Sequence, residues 1–503
     1  MRRNILEYLE DISETYRDCA AFSDETESLT FGALRARARA VGSGLLQCGR
    51  NGAIAVFMER GPSMIAAFFG VVYSGNYYIP LEKEMSQSRI SAILDGAAPA
   101  FMICDEKTEA LAKELDYAGR VLSIGELMAS KTDEEGLSRV SARALDVDPV
   151  YVVFTSGSTG LPKGVVACHR NVIDYAEALG AVLRPDARSV FGMQVPLYVD
   201  ACLKEICCGL KYGAKTVFIP KKLFMTPIRL VEFLNRHGVN TVCWVVSALT
   251  LISGTGTLEK AVPRLHTIAF GSEVFPSKQF ALWRKALPKA RWINLYGPTE
   301  CTGMSCYYEV PDDFDADMPI PIGKAFQNSE VFLIDDGVLV NEAERPGELY
   351  IRGAGVTLGY FNGFEKTREA FVQNPAHANY PEIVYRTGDI AKYDERGELV
   401  YIGRRDNQIK HMGYRIELAE IEAAAAKLDA VEEACCVFLE ERDRIALCYA
   451  GSVSEKTVAS GMRKLLPRYM EPAIYLRIAV LPRTNNGKLD RAAVRGLVAE
   501  RPV

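Results

Sequence analysis

Short apolar runs rich in Val, Ile and Tyr alternate with segments of helical period over most of the chain, and this alternation predicts an α/β architecture. One unit of the pattern reads directly. Leu230, Val231, Phe233 and Leu234 fall on one helical face, Gly238 supplies a C-terminal stop, and NTVCWVV follows as a buried strand. The longest apolar run, Met64 to Tyr73, is broken by Gly70 and falls well short of the roughly 18 residues that mark a membrane span, so no transmembrane helix is expected. No repeat of fixed period and no low-complexity tract occurs.

The pattern changes near Asp406. A hairpin-like DERGELVYIGR (Asp394 to Arg404) gives way to a helix carrying Ile416, Leu418, Ile421 and Ala424. Strand pairs around VEEACCVFLE and RIALCYAG, a helix near MRKLLPRYM and a strand LRIAVLP complete the remainder. The expected organisation is therefore a large N-terminal body over residues 1–404 and a small α+β lobe over 405–503.

Composition narrows the class without choosing a function. The 503 residues include 59 Lys plus Arg against 64 Asp plus Glu, a formal net charge of −5, with 49% hydrophobic and 24% charged residues. Those values describe a globular chain and lack the basic excess of a nucleic-acid binder. The opening MRRNILEYLEDISETY meets Glu7, Glu10 and Asp11 before any apolar stretch, so no secretory signal is predicted and a cytoplasmic location is expected. Thirteen cysteines without a CxxC pair, two couples of them adjacent (Cys207-Cys208 and Cys435-Cys436), suit neither zinc nor a disulfide framework and read as buried reduced thiols.

Chemistry first surfaces in YVVFTSGSTGLPKG, Tyr151 to Gly164, where an apolar strand runs into hydroxyl residues, glycines and a lysine. Glycines let backbone N–H groups approach an anion, Thr155, Ser156, Ser158 and Thr159 add hydroxyls, and Lys163 adds charge, a combination suited to phosphate. It is not a Walker A loop, because Gly164 stands where that motif needs Ser or Thr. Alone, such a run is as well explained by a linker or turn.

Further segments remove that ambiguity. TSGSTGLPKG at Thr155, YGPTE at Tyr296, GELYIRG at Gly347, YRTGD at Tyr385, GRRDNQIKHMGYRIELAEIE at Gly403, LPRYMEP at Leu466 and NNGKLDR at Asn485 together resemble the ANL superfamily of adenylate-forming enzymes. That superfamily includes acyl-CoA synthetases, luciferases and the amino-acid adenylation domains of nonribosomal peptide synthetases. The resemblance implies ATP and Mg²⁺ as cofactors, a large N-terminal domain of several subdomains and a small mobile C-terminal domain. It implies that Thr155, Ser156, Gly157, Ser158, Thr159, Gly160 and Lys163 bind phosphates, and that Tyr296 stacks on adenine. Gly271, Ser272, Glu273, Asn294, Leu295 and Gly297 would complete the nucleotide site, with Thr299 and Glu300 facing phosphate and Mg²⁺. Asp389 would accept the ribose hydroxyls with help from Arg404, Lys488 would be the catalytic lysine, and Asp406 the hinge about which the small domain turns. In the second pose of that turn, Lys410, Gly413 and Arg415 would help line a pantetheine tunnel. Residue chemistry agrees: tyrosine offers a flat face to a base, carboxylates ligate magnesium, and an ammonium stabilises charge on a transferring phosphoryl group.

Asp200 bears on which acid is activated. It stands where amino-acid adenylation domains grip the α-amino group, and a carboxylate facing a cation is a purpose that a fatty-acid pocket lacks. Capping the next helix is its plainer role. Val199, preceded by Tyr198, departs from the aromatic residue that the resemblance leads one to expect before the aspartate. The other carried-over pocket positions are Ala201, Lys204, Ser247, Ile268, Phe270, Leu295, Gly303 and Met304. An inward Lys204 would favour a polar or acidic side chain, an outward one an apolar lining, and Phe270 would shorten the pocket toward a small substrate. Length and gross pattern also resemble D-alanine:carrier-protein ligases. No GGxS attachment motif and no HHxxxDG motif occurs, so the acceptor is expected to be a separate acyl or peptidyl carrier protein, meeting basic residues such as Arg463, Lys464 and Arg468. The rival readings are an acyl- or aryl-CoA ligase on the same fold and a nucleotide-binding protein without turnover.

Overall fold

The computed structural model describes residues 2–156, 162–316, 318–405, 408–428, 431–483 and 489–500. The chain forms two compact units, one of residues 1–83, 97–154 and 164–405, the other of 84–96, 155–163 and 406–503.

The first unit is α/β and holds three sheets. In the nine-stranded sheet, Arg291–Tyr296, Thr267–Gly271, Thr241–Val245, Val190–Met193, Lys215–Phe218 and Ala20–Ser23 run parallel, flanked by antiparallel edges. Parallel strands need both faces covered, and both are. On one face the helices Pro227–Arg236, Val246–Gly254 and Ser277–Ala286 bury Trp244, Trp283 and Trp292. On the other, the helices Phe31–Leu45, Pro62–Tyr73, His169–Leu183 and Leu203–Tyr212 share one core with the six-stranded sheet of Ala53–Met58 and its neighbours. Pro62–Tyr73 is apolar all round because it is buried all round. Among the described residues no helix is long and apolar enough to cross a membrane.

The unit read from sequence forms as expected: Pro227–Arg236 buries Leu230, Val231, Phe233 and Leu234, Gly238 takes φ 67°, and Thr241–Val245 is a buried strand. The third sheet is antiparallel, and its strands Ile383–Tyr393 and Leu399–Arg404 form the hairpin read around DERGELVYIGR. Eleven cysteines are buried and free, but Cys19 is exposed and Cys48 half-buried, so the expectation of buried thiols fails at those two.

The second unit opens with a hairpin, Gln408–His411 against Tyr414–Glu417, turned by Met412 and Gly413 at positive φ. Ile416 therefore sits on a strand, and the helix Leu418–Ala425 begins after it. Val431–Leu439 and Arg444–Gly451 pair antiparallel, and the second of these pairs parallel with Ile474–Arg477. That last strand ends at Arg477 rather than running through LRIAVLP, because its ladder stops opposite Tyr449. Segments 84–96 and 155–163 join this unit through specific contacts. The buried Arg89 pairs with Glu420 at 3.4 Å, and the Ser156 hydroxyl donates to the Arg415 carbonyl at 2.6 Å.

Candidate active site

Several expected nucleotide-site residues meet where the parallel strands of the large sheet end. At the close of Arg291–Tyr296 the Tyr296 hydroxyl donates to Asp389, and the guanidinium of Arg404 donates to the other carboxylate oxygen at 2.8 Å. Asp389 and Arg404 face each other across the hairpin, which fixes the pairing. All three side chains are buried, and the Asp389 amide is held by the Thr387 hydroxyl at 2.9 Å. Burial, reinforced by the Asp389 charge, lifts the Tyr296 hydroxyl far above its ordinary pKa and keeps it a donor.

The glycines here answer to close backbone approach. A Cβ on Gly271 would stand 2.2 Å from the Leu295 carbonyl, and one on Gly297 would stand 2.5 Å from the Met304 Cα. Ser272 adopts φ 70°, Glu273 accepts the Ser247 amide at 2.7 Å at the head of helix Val246–Gly254, and the Asn294 amide donates to the Pro321 carbonyl at 2.8 Å. Glu273 and Ser247, expected in different subsites, are thus direct partners.

Glu300, in the 3-10 turn Thr299–Cys301, is fully buried. Its carboxylate accepts the Tyr360 hydroxyl at 2.7 Å, and its carbonyl accepts both the amide and the hydroxyl of Thr357, at 3.0 and 2.9 Å. The first of these bonds orients the acidic side chain, and the other two fix the backbone that carries it. Among the described residues no group of three or more His, Cys, Asp or Glu is placed to hold a metal unaided. A lone positioned carboxylate suits an ion that arrives already bound to phosphate oxygens, as Mg²⁺ does with ATP.

A third group lies around Asp200, in the 3-10 turn that leads into helix Leu203–Tyr212. Asp200 is buried, its Oδ2 has no hydrogen-bond partner, and it does not cap that helix through its side chain. Burial raises its pKa, against the pull of Lys204 and Thr299 and with the push of Glu300. Gly303 faces it, Ala201 packs beside it, and Met304 and Leu295 belong to the same core. Lys204, one helical turn after Asp200, is also buried, at 4% exposure. Ile268 and Phe270 sit elsewhere. They point to the other sheet face, where Phe270 packs on Phe275 and Phe280, and they belong to a different core from the one beside Asp200. A shortening of the Asp200 pocket by Phe270 thus has no support in the geometry.

Pattern reading passed over Tyr360, Tyr175 and Glu205. Glu205 is wholly buried, neither carboxylate oxygen has a hydrogen-bond partner, and burial pushes its pKa up to about 7 against Lys204 and Arg60. Its place beside Lys204 was the one available signal.

In the second unit, Lys163 lies 3.9 Å from Glu417, and the buried Thr155 hydroxyl has no hydrogen-bond partner. Gly157, Ser158, Thr159, Gly160, Asp406 and Lys488 lie outside the described residues.

A parallel-sheet scaffold ending in a Tyr–Asp–Arg network, with a buried, oriented carboxylate and a phosphate-type sequence in the same chain, defines an adenylate-forming α/β enzyme with a smaller C-terminal lobe. The family model of the AMP-binding enzymes matches residues 9–361. The chain belongs to that family, within the ANL superfamily. It is 29% identical to surfactin synthase subunit 1 of Bacillus subtilis over 98% of its own length, and 32% identical to gramicidin S synthase 2 of Brevibacillus brevis over 96%. The chain spans only 14% and 11% of those relatives. Its fold matches NpsA-ThdA, an artificially fused adenylation-PCP di-domain from Klebsiella oxytoca, with a TM-score of 0.81, 24% identity and 94% of each chain covered.

Proposed function

We propose that this enzyme activates an amino acid as its aminoacyl-AMP and then loads it onto the phosphopantetheine thiol of a separate carrier protein. The carrying observation is Asp200: a buried carboxylate oxygen without a donor, within an AMP-binding scaffold, calls for a cation, and a substrate ammonium is one. An acyl- or aryl-CoA ligase would leave that oxygen unsatisfied.

In the first half-reaction a substrate carboxylate oxygen bonds to the α-phosphorus of ATP, the bond to the bridging oxygen breaks, and pyrophosphate leaves with the electron pair. No proton moves. The Tyr296–Asp389–Arg404 network presents a carboxylate for the ribose hydroxyls, its own charge balanced by Arg404 at 2.8 Å. Glu300, its carboxylate oriented by Tyr360 and its backbone held by Thr357, would hold Mg²⁺, which supplies charge neutralisation on the phosphates when bound. Lys163 and Lys488 would add positive charge to the transferring group. In the second half-reaction the carrier thiol, on losing its proton, attacks the acyl carbon, a C–S bond forms and AMP departs.

The side chain follows from Lys204. A buried ammonium close to Asp200 favours a polar or acidic substrate side chain over the methyl group of D-alanine. The test is pyrophosphate release across L- and D-amino acids, fatty acids and aryl acids. A response to one amino acid, strongest for an acidic or polar side chain, supports the proposal, and a response only to acids without an amine overturns it.

A further inference from the structure

Two buried oxygens without hydrogen-bond partners converge on one point. Asp200 Oδ2 comes from the turn before helix Leu203–Tyr212, and the Tyr175 hydroxyl from helix His169–Leu183. A Cβ built on Gly303 would stand 3.4 Å from the first and 3.7 Å from the second. Gly303 holds φ 90°, a conformation that favours glycine, so the place between the two oxygens stays free of a side chain. The oxygens do not bond to each other, although the Asp200 charge helps raise the pKa of the Tyr175 hydroxyl after the larger effect of burial. Tyr151 carries a third orphan hydroxyl under the field of the same carboxylate.

We propose that Tyr175 is a second positioning partner of the substrate ammonium, its phenol oxygen accepting one N–H while Asp200 accepts another, so that the site selects primary amines. This rests on the amino-acid reading of Asp200. One carboxylate oxygen alone would accept an amine in many orientations, and a second acceptor from a different helix restricts them. An N-methylated ammonium keeps two N–H groups and meets both acceptors only in the one rotamer that turns its methyl group away from them, so a second acceptor disfavours it.

Tyr175→Phe tests the assignment, read by pyrophosphate exchange with the best amino acid, its N-methyl analogue and its des-amino analogue. The expected result is a KM for the amino acid raised about tenfold, as for loss of one hydrogen bond to a charged group, with kcat and the KM for ATP held. The preference for the primary amine over the N-methyl form should also fall. The thermal midpoint should hold or rise, because the hydroxyl removed has no partner in the folded protein. An unchanged KM, or an equal loss for amino and des-amino substrates, overturns the role of Tyr175 and leaves the amino-acid reading standing. A wild-type enzyme that answers to no amino acid overturns both.

Discussion

Glu205→Gln should change how stability depends on pH, by an amount that can be worked out. Glu205 is fully buried, neither oxygen has a hydrogen-bond partner, and its pKa stands at about 7 rather than 4.5. The unfolded chain gives up this proton near pH 4.5 while the folded chain keeps it until about pH 7. Between those values the folded state binds more protons, so stability falls as pH rises, by roughly 3 kcal/mol over the window. Glutamine has no such titration. It adds a pH-independent cost for its unpaired amide, so the informative quantity is the slope and not the absolute value. All three tryptophans of the chain, Trp244, Trp283 and Trp292, are buried in the first unit, and their fluorescence reports its unfolding in urea. From pH 5 to 7.5 the variant should gain about 2 kcal/mol relative to wild type. Parallel curves would mean that Glu205 is solvated or paired, and would refute the reasoning.

Three further outcomes follow from other sites. His169 is buried, its Nδ1 accepts the Ile5 amide at 3.2 Å, and burial lowers its pKa from 6.5 to about 4, so the unfolded state takes up a proton first as pH falls. It contributes roughly 3 kcal/mol that is lost from pH 6.5 down to 4, and His169→Gln should remove that slope in the same urea titration. Tyr360→Phe releases Glu300 from its 2.7 Å hydrogen bond; kcat for pyrophosphate release should fall about tenfold and the Mg²⁺ requirement should rise, with the KM for the amino acid unchanged. Lys204→Met should turn the amino-acid panel from polar or acidic toward apolar side chains by about a hundredfold in relative kcat/KM, and an unaltered ranking would remove Lys204 from the pocket.

The Tyr296–Asp389–Arg404 network and the buried Glu300 were legible because these residues lie in short contiguous motifs. YGPTE and YRTGD carry Tyr296, Glu300 and Asp389, and the resemblance put Arg404 near Asp389, a pairing that the strand register shows. The Asp200 surroundings were half legible. Asp200 and Lys204 were marked by sequence, but Lys204 sits on a helix packed on both sides, so the usual solvated face for a lysine does not exist there. Tyr175 and Tyr360 gave no local sign, since each matters through a partner more than 25 residues away, Gly303 for one and Glu300 for the other. Membership of 84–96 and 155–163 in the second unit was hidden for the same reason. It rests on contacts of Arg89 and Ser156 with residues more than 250 positions on. Phe270 misled in the opposite direction, because strand alternation sends it with Ile268 to the tryptophan-rich face.

The central claim is that Asp200 holds a substrate ammonium. The direct measurement compares wild type and Asp200→Asn in ATP–pyrophosphate exchange with the best amino acid and with its des-amino analogue. The account predicts that wild type prefers the amino acid by about a hundredfold or more, and that the variant loses about that factor with the amino acid but little with the analogue. Equal turnover of both compounds by wild type, or an equal loss of both in the variant, would contradict it.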